Sequence, residues 1–218
     1  IELKASAMDE VVKNQLFQYT PLKTSFSSNM LALNETKPVT LNLHDGLTYF
    51  IEFRKEVITK RTVFQLNKAR DKANLLIGLS IAVNSIDEVI DLIKKSKNPS
   101  EAKAKLLEKK WPVKSNVIDY IKLISPSTKI ISNKINLDED QAKAILELRL
   151  QKLTALERED IFSNLQTLIK DINGYLKILN SNNELLGILK NELLEVKDNF
   201  ATPRKTEIQE RAFENIDT

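Results

Sequence analysis

The spacing of apolar residues near the end of the chain constrains the fold most. Between residues 162 and 179 the spacings are 3, 4, 3, 4 and 3, at Phe162, Leu165, Ile169, Ile172, Leu176 and Leu179. This is the a/d pattern of a coiled coil, held for almost three heptads. The segment therefore predicts a long helix that buries one narrow face against a second helix.

The second helix is predicted upstream, over residues 42–83. Asn42 and Asp45 have the spacing of a helix cap. A narrow apolar stripe with charges nearly all round it follows, at Phe50, Phe53, Val57, Phe64 and Leu75. Such a stripe favours a two-helix coiled coil over a globular core. At about 1.5 Å per residue, a forty-residue helix spans roughly 60 Å.

Residues 84–153, between the two long helices, predict a small head of short helices. Ser85, Asn98 with Pro99, and Ser115 are helix starts, and residues 125–137 are predicted as a loop. A further helix is predicted from about 139 to 153, and Thr154 caps the next one in a Thr-x-x-Glu capping box.

The helix at 139–153 is apolar on more than one side. Its main face carries Ala142, Ile145, Leu146, Leu150 and Leu153. Leu148 points elsewhere, and Arg149 falls inside the apolar face. More than one side of the helix is therefore predicted to be buried. The second side is covered either by the core of its own chain or by a second copy of the chain.

The two ends of the chain predict smaller elements. Residues 1–4 alternate as a strand does, residues 9–19 form a helix, and "NMLAL" and "PVTLNL" flank a turn at 34–37. A capping box at Ser181 starts a last helix with Leu186, Leu189, Leu193, Val196 and Phe200. The predicted fold is mainly α: a long antiparallel two-helix coiled-coil arm with a small helical head and a short β-hairpin in a mixed N-terminal base.

Composition excludes several kinds of site. The chain has 218 residues, no cysteine and one histidine, so a Cys-based zinc site and a disulfide framework are excluded, and His-based metal clusters and triads have little to work with. Asp138, Glu139 and Asp140 resemble a Mg²⁺ cluster, but a first helical turn already favours acids. Tyr19 is the one tempting nucleophile, yet its nearest basic residue, Lys23, is four positions away.

The distribution of charged and apolar residues along the chain indicates which partners and which cellular compartment to expect. The net charge is +3, with basic stretches at 54–72 and at 94–114, the second holding eight lysines against two glutamates. Such stretches are either solvated helix faces or contacts for DNA phosphates. No apolar run has the length of a membrane span. The lack of cysteine fits a reducing, intracellular compartment. The start at Ile1 suggests that the sequence is a piece of a longer protein.

Four long segments resemble the A-subunit family of bacterial DNA gyrase, a type IIA topoisomerase. They are "VVKNQLFQYTPLKTSFSSNMLAL", "FRKEVITKRTVFQLNKARDKANLLIGLSIAVNSIDEVI", "QAKAILELRLQKLTALERE" and "FATPRKTEI". The corresponding subunit of topoisomerase IV is similar but poorer in the first and last segments. The resemblance implies the end of the tower at 1–44, a coiled-coil arm and return helix at 45–83 and 154–200, a dimerisation head at 84–153, and a C-terminal linker at 201–218.

The resemblance also implies a role and partners. It implies an A2B2 holoenzyme that includes the gyrase B-type subunits, negatively supercoiling double-stranded DNA in the cytoplasm at the nucleoid, with ATP and Mg²⁺ bound mainly outside this segment. The head forms the exit gate by homodimerisation, through Leu146, Leu148, Arg149, Leu150, Leu153 and Thr154. The arm lines the DNA passage with Arg54, Lys55, Lys60, Arg61 and Lys68. The segment itself carries no cofactor and no metal site.

No catalytic residue is implied within the segment. The nucleophilic tyrosine of the family lies upstream in an Arg-Tyr-Thr motif, whereas Gln18 precedes Tyr19 here. Two other classes stay open from the residues alone. A structural coiled-coil scaffold predicts no topoisomerase activity when it is joined to the upstream region. A non-specific DNA-binding protein predicts strong, salt-sensitive binding through residues 54–72.

Overall fold

A computed structural model describes residues 2–4, 7–125, 130–131, 133–148 and 155–208, the side chains of 116 and 155–158 excepted. The chain divides into two compact units, Ile1–Phe53 and Arg54–Thr218. The described part is mainly helical, as predicted. None of its helices is long and apolar enough to cross a membrane.

The first unit contains one helix and one hairpin. Helix α1 spans Asp9–Tyr19, and strands β1 (Met30–Asn34) and β2 (Lys37–Leu41) pair antiparallel, with Asn34 opposite Lys37. The predicted helix and the predicted hairpin are both confirmed. The hairpin could be predicted because turn residues and alternation of apolar residues are local signals in the sequence. The predicted strand at the start is wrong: residues 2–4 are not in a strand, and no described strand other than β1 and β2 lies in this unit to pair with them.

Helix α2, Leu43–Asn84, begins in the first unit and continues into the second. Asn42 caps it as predicted, its Oδ1 accepting the Asp45 N–H at 2.8 Å. The predicted stripe is wrong, since Phe64 is 65% exposed and Phe53 60%. In the second unit the face that is buried instead consists mostly of aliphatic and small residues: Ile58, Thr62, Leu66, Ala69, Ala73 and Ile77.

Four short helices follow in the second unit, at α3 (Ile86–Lys94), α4 (Pro99–Glu108), α5 (Ser115–Ile124) and α6 (Glu139–Leu146). Asn98 caps α4, with Pro99 in its first turn. Asp138 and Gln141 form a full capping box at the start of α6. Helix α6 is shorter than the predicted 139–153, because the Leu148 N–H bonds to the Ile145 carbonyl, three residues back, in a tightened last turn.

One strand of a second small sheet lies inside the predicted loop region. Strand β3 (Lys110–Pro112) pairs antiparallel with β4 (Lys134–Asn136), placing Trp111 opposite Ile135. Trp111 is fully buried, and its indole N–H donates to the Leu106 carbonyl at 3.0 Å. Residues 134–136 are therefore strand and not loop, and Trp111 anchors the sheet in the core.

The last two helices complete the second unit. Helix α7 spans Ala155–Asn180 and α8 spans Asn182–Phe200, with Ser181 capping α8 as predicted. Leu165, Ile169 and Ile172 are buried at the centre of the predicted heptad seam, which confirms it. They belong to one core cluster with Leu66, Ala69, Ala73 and Ile77 of α2 and with the buried residues of α3 to α6.

Candidate functional site

Side-chain hydrogen bonds hold helix α6 close to helix α2. The Gln141 side chain is buried, and its amide donates to both the backbone carbonyl and the Oδ1 of Asn74, each at 2.9 Å. Asn74 in turn donates to Asp138 at 2.5 Å. A Cβ on Gly78 would lie 2.7 Å from Gln141 Cβ and Cγ. Only glycine at position 78 therefore lets α6 approach this closely.

The end of α6 is where the predicted dimer face begins. Leu146 and Leu148 are half-buried, and Leu146 packs against the core of the second unit. The other predicted residues of that face, Arg149, Leu150, Leu153 and Thr154, lie outside the described residues. The contact between Gln141 and α2 thus holds the first part of the face, and its assignment to a dimer stays a prediction.

A cavity of about 390 Å³ lies between the end of α2, the start of α5 and the first turns of α7. Ser80, Val83 and Asn84 line it from α2, and Phe162 and Gln166 from α7. The end of α2 therefore lies beside the start of α7. Because both helices also share the core cluster, they run antiparallel.

Two arginines of the predicted DNA passage share one carboxylate. Arg54 Nη2 lies 2.8 Å from Glu192 Oε2, and Arg61 Nη2 lies 2.5 Å from Glu192 Oε1. Hydrogen bonds and charge from Arg61, and then from Arg54, hold the pKa of Glu192 below its ordinary value despite partial burial. Glu192 is not among the residues predicted from the sequence. The seven-residue spacing of the two arginines, which puts them on one helix face, is the signal that points to a shared partner.

The three lysines of the same set have different surroundings. Lys60 pairs with Glu56 at 2.5 Å, one turn before it on α2. Lys68 Nζ lies 5.9 Å from the centre of the exposed Phe64 ring. Lys55 makes no ion pair with any residue that the structure describes. The structure thus brings the arginines together and leaves the lysines spread along α2.

The groups considered for catalysis or metal binding are isolated or already used. Tyr19 is 76% exposed at the end of α1, and its phenol has no hydrogen-bond partner among the described side chains. His44 is exposed, 3.5 Å from Asp45. Asp138 caps α6, and Glu139 pairs with Lys103. Within the described ranges no three acidic, histidine or cysteine groups converge as metal ligands would.

Comparison with known proteins gives matches along almost the whole sequence. The family of the A subunits of DNA gyrase and topoisomerase IV matches residues 1–194. The DNA gyrase A subunit of Rickettsia felis is 46% identical over 215 residues, which are 98% of this chain and 24% of that protein. Those of Helicobacter pylori strain J99 and Granulibacter bethesdensis are 42% and 41% identical over 100% of this chain, which is 23% of each. The chain thus spans about a quarter of the length of these relatives.

Proposed function

Because the chain belongs to the family of DNA gyrase and topoisomerase IV A subunits, we propose that it is the coiled-coil arm and exit gate of a breakage-reunion subunit. In this role the chain guides a transported duplex out of the enzyme during ATP-dependent negative supercoiling. The observation that carries the proposal is the antiparallel packing of α2 and α7, with the four short helices inserted between them in the sequence. The corresponding regions are the arm at 45–83 and 154–200 and the head at 84–153.

The gate is proposed at the end of the head. Two copies of the chain meet there through Leu146, Leu148, Arg149, Leu150, Leu153 and Thr154. The half-buried state of Leu146 and Leu148 supports this, since leucines left partly uncovered at the end of a short helix gain stability from a second cover. The network of Gln141 with Asn74 supports it too, because a gate that opens and reseals needs a rigidly held face.

The basic residues of α2 are proposed to face the duplex in passage. Arg54 and Arg61 are each bound to Glu192, so part of their charge is neutralised within the chain. Lys55 and Lys68 make no ion pair among the described residues, and they supply the remaining attraction. Partial neutralisation suits a passage that must release its cargo. Binding of the chain to duplex DNA at physiological salt is then in the non-specific range, about 10⁻⁴–10⁻⁶ M.

The partners and cofactors of the whole enzyme follow from the same proposal. The holoenzyme is an A2B2 assembly at the bacterial nucleoid, with ATP and Mg²⁺ bound outside this segment. The corresponding subunit of topoisomerase IV is the alternative within the family, since the matching description names both enzymes. If the chain is not part of a topoisomerase, the alternatives are a structural scaffold and a DNA-binding module.

The experiment that tests the proposal uses Tyr19→Phe in the full-length protein, assembled with its ATP-binding partner. Cleavage of DNA and its covalent attachment to protein stay at the wild-type level, because Tyr19 lies on the surface with no cation or base beside it. The positive control replaces the tyrosine of the upstream Arg-Tyr-Thr motif and abolishes attachment.

Two results would contradict the proposal. Loss of covalent attachment in a folded Tyr19→Phe protein would place the chemistry in this segment. Absence of cleavage and supercoiling in the wild-type assembly would favour the scaffold alternative.

A further inference from the structure

The connection between α3 and α4 concentrates positive charge that nothing in the proposed function uses. Residues 94–98, hereafter the α3–α4 turn, carry Lys94, Lys95 and Lys97 and no acid. All three lysines are exposed, and none makes an ion pair with a described residue. These five residues hold a net charge of +3, which equals the net charge of the whole chain.

Three other lysines of the same helical pair behave differently. Lys103, Lys105 and Lys109 lie 2.7, 2.8 and 2.6 Å from carboxylate oxygens of Glu139, Glu101 and Glu88 respectively. The hydrogen bond from Lys105 holds the pKa of Glu101 below its ordinary value, and that from Lys103 does the same for Glu139. Glu139, Glu101 and Glu88 are therefore paired with these lysines, whereas the lysines of the α3–α4 turn are paired with no described acid.

The backbone of the α3–α4 turn is held at both ends. The Ser96 hydroxyl donates to the Leu92 carbonyl at 2.8 Å, which closes the end of α3. The Asn98 side chain accepts the Glu101 N–H at 2.7 Å, and Glu101 accepts the Lys97 N–H at 2.8 Å, which fixes the start of α4. The three lysines are thus presented from a fixed loop, so little backbone conformational freedom is lost on binding.

Helix dipoles explain only part of this arrangement. Lys94 and Lys95 lie at the C-terminus of α3, where a cation is favourable. Lys97 lies just before the N-cap of α4, where the dipole disfavours a cation. Asp91, one turn before Lys95, makes no ion pair with it. Neither a helix dipole nor an ion pair with a described residue therefore accounts for Lys97.

We propose that the α3–α4 turn is a contact site for the phosphates of duplex DNA, separate from the basic residues of α2. The choice of duplex DNA as the polyanion rests on the proposed function. Three lysines side by side match the closely spaced phosphates of a duplex and bind them without reading sequence. In the proposed enzyme this site holds DNA against the surface of the head.

The test measures binding of a short duplex to the 218-residue chain over a range of NaCl concentrations. One variant carries Lys94→Gln, Lys95→Gln and Lys97→Gln. The matched control carries Lys103→Gln, Lys105→Gln and Lys109→Gln, with the same loss of charge in the same helical pair. We expect the turn variant to lose roughly 100-fold in affinity at about 0.15 M salt and to lower the salt slope by about 0.9 for each lysine. We expect the control to change both quantities much less.

A third variant, with Lys55→Gln, Lys60→Gln and Lys68→Gln on α2, separates this proposal from the passage proposed above. A loss in the turn variant that the matched control does not share supports the site, whether or not the α2 variant changes. Equal losses in the turn variant and the control show that net charge alone governs binding, and overturn it. Unchanged binding in the turn variant also overturns it, while a loss in the α2 variant then leaves the passage supported. Thermal unfolding of each variant establishes that it is folded.

Discussion

At the residue scale, Glu192 links two helices that are far apart in the sequence. Its two oxygens bind Arg54 and Arg61 on α2, next to a small cluster of Ile58, Leu185 and Leu189. The cluster buries three side chains, and the ion pairs add to this small apolar contact between α8 and α2. The side chains are 27 to 43% exposed, which limits each pair to about 0.2–1 kcal/mol.

We predict that Glu192→Gln lowers the free energy of unfolding by about 1 kcal/mol at pH 7. The arginines lower the pKa of Glu192 in the folded chain below the ordinary 4.5. The stabilisation is therefore complete above about pH 4.5 and is lost as the pH falls through the lowered pKa. Urea unfolding at a series of pH values measures this: the difference from wild type shrinks in acid.

Glu195→Gln on the same helix is the control, because Glu195 is exposed and makes no ion pair with a described residue. Equal effects of the two substitutions at pH 7, or a difference that grows in acid, would contradict the assignment.

Gly78 is a residue at which α2 packs closely against α6. We predict that Gly78→Ala destabilises the chain by about 1–3 kcal/mol, although alanine favours helix. The new methyl group would meet Cβ and Cγ of Gln141 at 2.7 Å, and Cβ cannot move away unless α6 moves. Chemical unfolding measures the change.

Gly174→Ala on α7 is the matched control, since a Cβ there has nothing within 4 Å. It is expected to stabilise the chain by up to about 1 kcal/mol through helix propensity. A Gly78→Ala chain as stable as Gly174→Ala would show that α6 does not depend on this contact.

At the element scale, local signals in the sequence were sufficient for most helix starts. Asn42, Asn98, Asp138 and Ser181 each accept a backbone N–H three residues on, as their positions predicted. The first hairpin was predictable for the same reason, because its strands join through a two-residue turn with Glu35 in the left-handed region at φ 54°. Such elements depend on neighbours in the sequence.

Elements decided by distant contacts were predicted less well. Strands β3 and β4 have three residues each and pair across more than twenty residues, so neither shows an alternating pattern. On α2 the aromatic residues suggested the wrong face, since close helix packing selects small residues such as Ala69 and Ala73. The end of α6 at Leu146 could not be predicted, because leucines continue in the sequence beyond it. The pairing of Arg54 and Arg61 with Glu192 was missed for the same reason, since Glu192 lies more than 130 residues further along the chain.

At the scale of the whole molecule, the described residues hold in place the start of the proposed dimer face. The short helices share one core with α2 and α7, and Gln141 fixes α6 against α2. Leu146 and Leu148 follow directly and stay half-buried. The proposed gate requires that a second copy of the chain covers these two leucines. The oligomeric state of the chain tests this requirement.

We predict that the chain is a symmetric homodimer and that Leu148→Asp with Leu150→Asp gives a folded monomer. Two carboxylates in a desolvated contact cost several kcal/mol, which raises the dimer dissociation constant by roughly 100-fold or more. Sedimentation velocity at tens of micromolar measures the state. Leu31→Asp with Leu33→Asp has the same spacing on the exposed face of β1 and serves as the control, which stays dimeric.

The pattern of outcomes separates a gate from an ordinary core. A wild-type chain that sediments as a monomer, or a 148/150 double variant that stays dimeric, contradicts the proposed gate. If the double variant unfolds, the single Leu148→Asp substitution decides, because a half-buried residue tolerates a charge in a folded monomer better than a core residue does. A folded, monomeric single variant supports the gate. An unfolded one assigns Leu148 to the core of its own chain, and the cover for the end of α6 is then intramolecular.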